Sequence, residues 1–109
     1  MAERAPIVEE WFDLAETSEK LRVRIYAPVR REGTTWGCRI ELGNPIDLDK
    51  EVLGEGSLQA LALALEQVSA LLYSHPLWRA GKLGAFGELG GYLGVAAPTQ
   101  YLHFAPYPF

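Results

Sequence analysis

The fold of this chain is decided by residues 58–73, which read LQALALALEQVSALLY. Apolar residues recur there at steps of three and four, which places them on one face of an α-helix. The members of this face are Leu58, Leu61, Leu65, Val68 and Leu72. The spacing predicts one main helix over about 58–74 that buries this face. Truncation of the central Leu65 to alanine is then expected to cost about 2–5 kcal/mol of unfolding free energy.

The residues on either side predict where this helix begins and ends. Ser57 precedes the apolar pattern, and a serine hydroxyl at that position accepts an N–H from the first turn, so we expect Ser57 to be the N-cap. Pro76 cannot continue the helical hydrogen bonds and disfavours helix in the residue before it. The helix is therefore expected to end near Ser74-His75-Pro76.

The sequence before the helix predicts an antiparallel meander of three to four strands, over about residues 6–53. Each run has apolar residues in alternation or residues that favour strands. The runs are Ile7–Leu14, Leu21–Ala27, Thr35–Leu42 and, less regularly, Ile46–Leu53. A glycine turn at 31–34 joins the second and third runs, which indicates a hairpin. We expect a single α+β domain, residues 1–109, with the helix covering one face of the meander.

The C-terminal segment, about 77–109, differs in composition from the rest. From Gly81 onward it holds six of the eleven glycines and six aromatic residues, and no charged side chain follows Glu88. We expect this segment to be loop-rich and to wrap over the domain, and Tyr101–Phe104 is an alternative candidate for a last edge strand. Uncharged aromatic surface is typical of interfaces. The predicted interface anchors are Trp78, Tyr92, Tyr101, Phe104, Tyr107 and Phe109.

Charge and cysteine content restrict the classes of partner. The net charge is −4, whereas nucleic acids and anionic membrane surfaces select basic patches, so neither partner is expected. Cys38 is the only cysteine, which excludes an intramolecular disulfide and a multi-thiolate metal site within one chain. The sequence also shows neither a signal peptide nor an apolar run long enough to span a membrane. These features favour a soluble protein of the reducing cytoplasm.

Four features could carry chemistry, and each has a simpler explanation. Gly54-Glu55-Gly56 resembles half of a dinucleotide-binding loop, but Gln59 stands where the third glycine belongs, which favours a turn. Cys38 alternates with apolar residues, so we expect a buried structural thiol rather than a nucleophile. The histidines, His75 at the helix C-terminus and His103, have no partner at catalytic spacing. The acidic row Asp47, Asp49 and Glu51 suits a solvated strand face better than a calcium site.

Three segments together resemble a family of small uncharacterised bacterial proteins. They are the strand at Trp36-Gly37-Cys38, the helix start from Gly54 to Leu65 and Gly81-Lys82-Leu83 beyond the helix. The resemblance covers about residues 20–95 and is most specific at 57–61, SLQAL. The family pattern usually has an aspartate before the serine, where this chain has Gly56. The resemblance implies an α+β fold with a sheet and one main helix, and it implies no catalytic residue.

The sequence therefore predicts a non-catalytic protein-binding or self-associating module. A catalytic site needs convergent groups, and no such constellation is visible, so we expect no catalytic residue, cofactor or metal. The alternative is a small-molecule domain that binds an anionic ligand between sheet and helix. In that case Arg22, Arg24 or Arg39 would orient the anion.

Overall fold

The computed structural model describes residues 5–95 as seven β-strands and two α-helices. In chain order these are β1 (Val8–Leu14), β2 (Lys20–Ile25), β3 (Val29–Glu32), β4 (Thr35–Leu42), β5 (Leu48–Glu55), α1 (Gly56–Tyr73), α2 (Pro76–Arg79), β6 (Leu83–Ala85) and β7 (Glu88–Leu89). Neither helix of this described part is long and apolar enough to cross a membrane.

The strands form one antiparallel sheet in the order β3-β4-β2-β1-β6-β7, with β5 paired to β4. The predicted α+β class and the single main helix are therefore confirmed. The predicted count of three to four strands is wrong, because the sheet has seven. The unpredicted strands, β3, β6 and β7, are four, three and two residues long. In runs this short, an alternation of apolar and polar residues cannot be recognised.

Strand β4 is the central strand of the first five. It pairs along its whole length with β5, from Thr35↔Glu55 to Leu42↔Leu48. Its other edge is shared by β2, which pairs with residues 40–42, and β3, which pairs with residues 35–37. The second predicted run thus forms the expected antiparallel pairing but stops at Ile25, shortly before Pro28, which has no N–H to donate. The glycine turn that was predicted to join this run to the third one instead joins β3 to β4.

The described residues divide into two units. The first comprises residues 5–10 and 22–65. Its core is formed by residues of β2, β4, β5 and the start of α1, together with Tyr26 just after β2. These residues are Val23, Ile25, Tyr26, Cys38, Ile40, Leu42, Val52, Ala60 and Ala64. Gly54 belongs to this unit, and a Cβ there would lie 2.6 Å from the backbone nitrogen of Ala60. The missing side chain therefore lets β5 approach the helix closely.

The second unit comprises residues 11–21 and 66–95. Its core combines β1, the first residues of β2, the end of α1, α2, β6 and the segment after β7. The buried residues are Phe12, Leu21, Val68, Leu72, Tyr73, Trp78, Leu83, Ala85 and Leu93. β1 pairs with β6 through Asp13↔Gly84 and Leu14↔Leu83, and β6 pairs with β7 through Gly84↔Leu89 and Ala85↔Glu88. The C-terminal segment, expected to be loop-rich, therefore contributes two unpredicted strands, while the strand considered at Tyr101–Phe104 lies outside the described residues.

Helix α1 buries only part of the predicted face: Val68 and Leu72 are buried as predicted, whereas Leu58 and Leu65 are not. One row of buried positions recurs at steps of four residues, Ala60, Ala64, Val68 and Leu72, and Ser69 and Tyr73 beside it are buried as well. Leu58 is 80% exposed and Leu65 is 39% exposed. Leucines lie on more than one side of this helix, so their spacing does not decide which side is buried, and small alanines allow a closer approach. The predicted cost of truncating Leu65 is therefore too high, since less area leaves water there on folding.

The boundaries of α1 also differ slightly from those predicted. The helix begins at Gly56, which has a positive φ of 81°, so Ser57 lies in the first turn rather than at the N-cap. Nearby, Gln59 Oε1 accepts the backbone N–H of Glu55 at 2.6 Å. This side chain, not that of Ser57, satisfies a backbone donor just before the helix.

Candidate functional site

Strands β1 and β7 of the second unit each carry an exposed apolar side chain, whereas all three residues of β6 between them are buried. Asp13 opposes Gly84, which in turn opposes Leu89, so these three positions form a row across the strands. Trp11 lies two residues before Asp13 on β1 and therefore points to the same side. Trp11 and Leu89 are exposed, whereas Phe12 between Trp11 and Asp13 is buried. We call the surface defined by Trp11, Asp13 and Leu89 the outer face.

Phe86 and Gly87 form the two-residue turn between β6 and β7. Ala85 pairs with Glu88 around this turn, and both turn residues have positive φ, 56° for Phe86 and 81° for Gly87. Glycine adopts such a backbone freely, but a phenylalanine there costs about 1–3 kcal/mol. The ring is nevertheless 76% exposed, so it does not recover this cost by burial. An unfavourable backbone that presents an apolar ring to solvent is typical of a functional position.

Asp13 fastens this turn to the outer face. One carboxylate oxygen accepts the backbone N–H of Gly87 at 3.1 Å, and the other lies 3.1 Å from the Lys20 ammonium. The hydrogen bond from Lys20, followed by that from Gly87, lowers the pKa of Asp13 below its ordinary value. The ionised carboxylate therefore holds the backbone of the Phe86-Gly87 turn next to Asp13, and its charge is balanced by Lys20.

Two buried aromatic rings hold the segment after β7. Trp78 is fully buried, and its indole N–H donates to the carbonyl of Gly91 at 3.0 Å. The Tyr73 hydroxyl donates to the carbonyl of Val95 at 2.8 Å and accepts the N–H of Leu93 at 2.9 Å. Burial raises the pKa of this hydroxyl, so it remains protonated and able to donate.

Of the predicted interface anchors in this region, Trp78 is buried and Tyr92 is exposed. The Tyr73 and Trp78 rings meet edge to face, with centroids 5.0 Å apart, so Trp78 is part of the core of the second unit and is not accessible to a partner. Tyr92 lies between the two fixed positions 91 and 93 and is 53% exposed. The predicted anchors Tyr101, Phe104, Tyr107 and Phe109 lie outside the described residues, as does His103.

The arginines of the alternative hypothesis lie in the first unit, where two of them meet carboxylates. Arg24 contacts Glu9 at 2.6 Å. Arg39 binds both oxygens of Asp49, at 2.9 and 2.8 Å. These hydrogen bonds raise the pKa values of both arginines and lower that of Asp49. Arg22 also has an interaction partner. An anionic ligand would have to displace carboxylates that already neutralise Arg24 and Arg39.

The three carboxylates of the acidic row, Asp47, Asp49 and Glu51, have separate surroundings. Asp47 lies in the turn before β5 with a φ of 53°, Asp49 pairs with Arg39, and Glu51 pairs with Arg31. The three carboxylates therefore do not face one common cation. Over residues 5–95, the structure has no group of three or more His, Cys, Asp or Glu side chains that could hold a metal ion.

The side chains of Cys38 and His75 each make a hydrogen bond that stabilises the fold. Cys38 is fully buried, as predicted, and its Sγ donates to the carbonyl of Tyr26 at 3.2 Å. His75 is the N-cap of α2, and its Nδ1 accepts the N–H of Leu77 at 3.1 Å. Burial lowers the pKa of His75, which favours the neutral ring. The His75 ring therefore serves the next helix as a hydrogen-bond acceptor.

Sequence reasoning missed Asp13 and the Phe86 turn. The signal for the turn is weak, because Phe86-Gly87 has glycine in the second position but lacks the Asn or Asp that usually precedes it in such hairpins. Asp13 lies in a mixed apolar and acidic run, where its contact with a residue 74 positions later is invisible to local patterns. Only the pairing of β1 with β6 brings the two together.

Comparison with known proteins identifies the family. No curated protein and no solved structure matches the chain. The family model described as Domain of unknown function (DUF6968) matches residues 9–97, which include every strand and helix described above except the first residue of β1. This chain therefore belongs to the DUF6968 family of domains of unknown function.

Proposed function

We propose that the protein is a non-catalytic module that binds a protein partner or a further copy of itself, and that it acts in the bacterial cytoplasm without a cofactor. The observation that carries this proposal is the exposed Phe86 ring, which is presented on a strained turn beside the outer face. Aromatic residues dominate the binding energy of protein interfaces, and charged residues are depleted at interface centres.

The scaffold around this surface supports a binding role. Asp13 fixes the Phe86 turn through the Gly87 N–H, and β6 holds the adjoining strands in register. A turn whose backbone is already held in one place loses little backbone entropy when a partner covers it. Tyr92 is a further anchor in this proposal, since the hydrogen bonds of Trp78 and Tyr73 fix the backbone on either side of it. The four predicted anchors between residues 101 and 109 remain part of the proposal.

The alternative, an anionic small-molecule domain, receives less support from the geometry. Arg39 is bound by both oxygens of Asp49 and also lies 3.7 Å from Glu41. Its guanidinium carbon is 4.7 Å from the centroid of the Tyr26 ring. Because two carboxylates already neutralise this guanidinium, little of its positive charge is left to attract an anionic ligand. A binding module is therefore the better explanation of the described residues.

The proposal can be tested by photo-crosslinking of the full chain in the cells that produce it. A benzophenone amino acid in place of Trp11 keeps an aromatic group on the outer face, and the same residue in place of Ser18, an exposed position in the β1–β2 turn, is the control. We expect crosslinks to a second polypeptide, either another copy or a different protein, from position 11 and not from position 18. Equal or absent crosslinking at the two positions would contradict the proposal.

A further inference from the structure

We propose that strand β5 binds an extended, basic segment of a partner protein, which joins the sheet at the unpaired side of this strand. This inference goes beyond the proposed function, because it uses only residues of the first unit and none of the outer face. In the part of the chain that the structure describes, β5 pairs with β4 alone. The second side of this eight-residue strand is therefore open to strand addition.

The backbone hydrogen bonds show which groups of β5 face its unpaired side. The N–H of Gly56 donates to the carbonyl of Thr34 at 2.8 Å, and hydrogen-bonded positions alternate along an antiparallel pair. The even-numbered residues of β5 therefore bond to β4, and the N–H and C=O groups of the odd-numbered residues point away from it. Gln59 accepts one of these groups, the N–H of Glu55. The backbone groups of the other three residues, Asp49, Glu51 and Leu53, define what we call the free edge.

The edge strand β3 of the same unit is protected, whereas β5 is not. β3 has four residues, and its pairing with β4 shifts register between Arg30 and Glu32. A short strand and a bulge both hinder the addition of another strand. β5 pairs with β4 at eight successive positions without a shift, and it contains no proline. Its charged side chains are the remaining restriction, and they select the kind of strand that can be added.

Acidic side chains lie beside the free edge. The odd-numbered residues of β5 share one side of the sheet, and Glu41 of β4 opposes Asp49 there. Asp49 and Glu55 are exposed, and Glu51 is half-buried. Lys50, the one basic residue of β5, has an even number and therefore lies on the other side. Four carboxylates are thus gathered on one side of β4 and β5.

Arginines balance only part of this charge. Arg39 is shared by the carboxylates of Asp49 and Glu41. Arg31 pairs with Glu51. The arginine of β2 that ends in an ion pair is bound to a carboxylate of β1. Four carboxylates against two guanidinium groups leave an excess of two negative charges, so a strand with lysine or arginine on this side is attracted.

The same charges argue against the occupants that this chain itself could supply. A twofold contact of two β5 strands centred on Glu51 would set carboxylate against carboxylate, which is unfavourable. The C-terminal segment has no charged residue after Glu88, so it cannot balance the excess charge. The occupant that fits is an extended segment with basic side chains on the carboxylate side and apolar side chains on the other, where Val52 is buried.

Peptide binding to the full chain tests this inference by fluorescence anisotropy. The probe is a short labelled peptide, blocked at both ends, in which lysine alternates with valine, and the control peptide has glutamate in place of every lysine. We expect the lysine peptide to bind with a dissociation constant below about 1 mM, and at least about tenfold more tightly than the glutamate peptide.

Two variants at position 53 test the role of the backbone. Leu53→Pro removes an N–H of the free edge that makes no bond to β4, so the pairing of β4 with β5 is kept. Leu53→Thr keeps this N–H and removes the leucine side chain, which is 55% exposed. We expect the dissociation constant of the lysine peptide to rise about tenfold or more with Leu53→Pro and less than about twofold with Leu53→Thr.

Two further variants test the role of charge and do not depend on proline being tolerated. Glu55→Lys reverses a charge beside the free edge, whereas Glu66→Lys makes the same change of net charge on an exposed position of α1. We expect Glu55→Lys to raise the dissociation constant of the lysine peptide about fivefold or more, and Glu66→Lys to change it less than about twofold.

Several results would overturn this inference. They include a lysine peptide that does not bind below about 1 mM, and equal effects of the two variants in either matched pair. Dimerisation of the full chain that Leu53→Pro abolishes would assign the free edge to a second copy. Peptide binding that appears only after removal of residues 98–109 would assign it to the C-terminal segment of the same chain. Crosslinking from position 11 tests the proposed function separately, because that position is not part of the free edge.

Discussion

At position 54 the chain has no side chain because the start of α1 occupies the space that one would need. A Cβ on Gly54 would lie 2.6 Å from the nitrogen and 2.8 Å from the Cα of Ala60, and these are backbone atoms that cannot rotate away. The two glycines of Gly54-Glu55-Gly56 are therefore explained by the fold, and no phosphate-binding role is needed to account for them. Gly54 allows the close approach, and Gly56 supplies a φ of 81°.

We therefore predict that Gly54→Ala lowers the free energy of unfolding by about 1–3 kcal/mol, the usual cost of overpacking. Gly91→Ala is the matched control, since a Cβ added at Gly91 would have no described heavy atom within 4 Å and the φ there is not positive. Its effect should stay within about 0.5 kcal/mol. Denaturant unfolding of both variants measures the difference, and equal stabilities would show that the helix can shift to accept the methyl group.

At the scale of one element, the short helix α2 depends on the protonation of its N-cap. The Nδ1 atom of His75 accepts the Leu77 N–H at 3.1 Å, which requires an unprotonated nitrogen at that position. Burial lowers the pKa of His75 in the folded chain below the ordinary value of 6.5. A group whose pKa is depressed by folding contributes stability above its unfolded pKa and loses that contribution as the pH falls through the folded pKa.

We predict that the wild-type chain loses stability relative to His75→Asn as the pH is lowered from about 7 to below the unfolded histidine pKa of about 6.5. Asparagine keeps a side-chain acceptor at the N-cap and does not titrate. Thermal unfolding of both chains across this range gives the measurement, and all other titrating groups cancel in the difference. A stability difference that does not change with pH would contradict the assignment of His75 as a neutral cap.

The elements also show what the sequence could and could not predict. The run Thr35–Leu42 is eight residues long with clear alternation, and it is β4 without any shift of its boundaries. β6 and β7 are too short to show alternation, and they exist because Gly84 can pair with Asp13 on one side and Leu89 on the other. Local patterns determine long elements, whereas these short strands depend on partners distant in sequence.

The same distinction explains the outcome for α1 and for the candidate site. The period of three and four residues is sufficient to predict the helix, but not that Ala64 is buried while Leu65 is exposed, because leucines occur on both sides. The site depends on Asp13 meeting Gly87, a contact between residues far apart in the chain. No local spacing encodes such a contact.

At the scale of the whole molecule, charge and aromatic residues are separated along the chain. Residues 1–56 contain eight Lys or Arg and twelve Asp or Glu, whereas residues 57–109 contain two of each class. The family model ends at residue 97, so the four predicted anchors at positions 101–109 lie beyond the matched domain. Removal of residues 98–109 therefore leaves the whole family match in place while deleting those anchors.

We predict that this truncation leaves α1 folded and weakens association of the chain by about tenfold or more, because each aromatic anchor of an interface commonly contributes over 1 kcal/mol. Light scattering of the full and truncated chains gives the mass as a function of concentration, and circular dichroism gives the helix content. Loss of helix signal would assign residues 98–109 to the core instead. An unchanged mass with unchanged helix content would remove Tyr101, Phe104, Tyr107 and Phe109 from the interface and leave the outer face to carry the association alone.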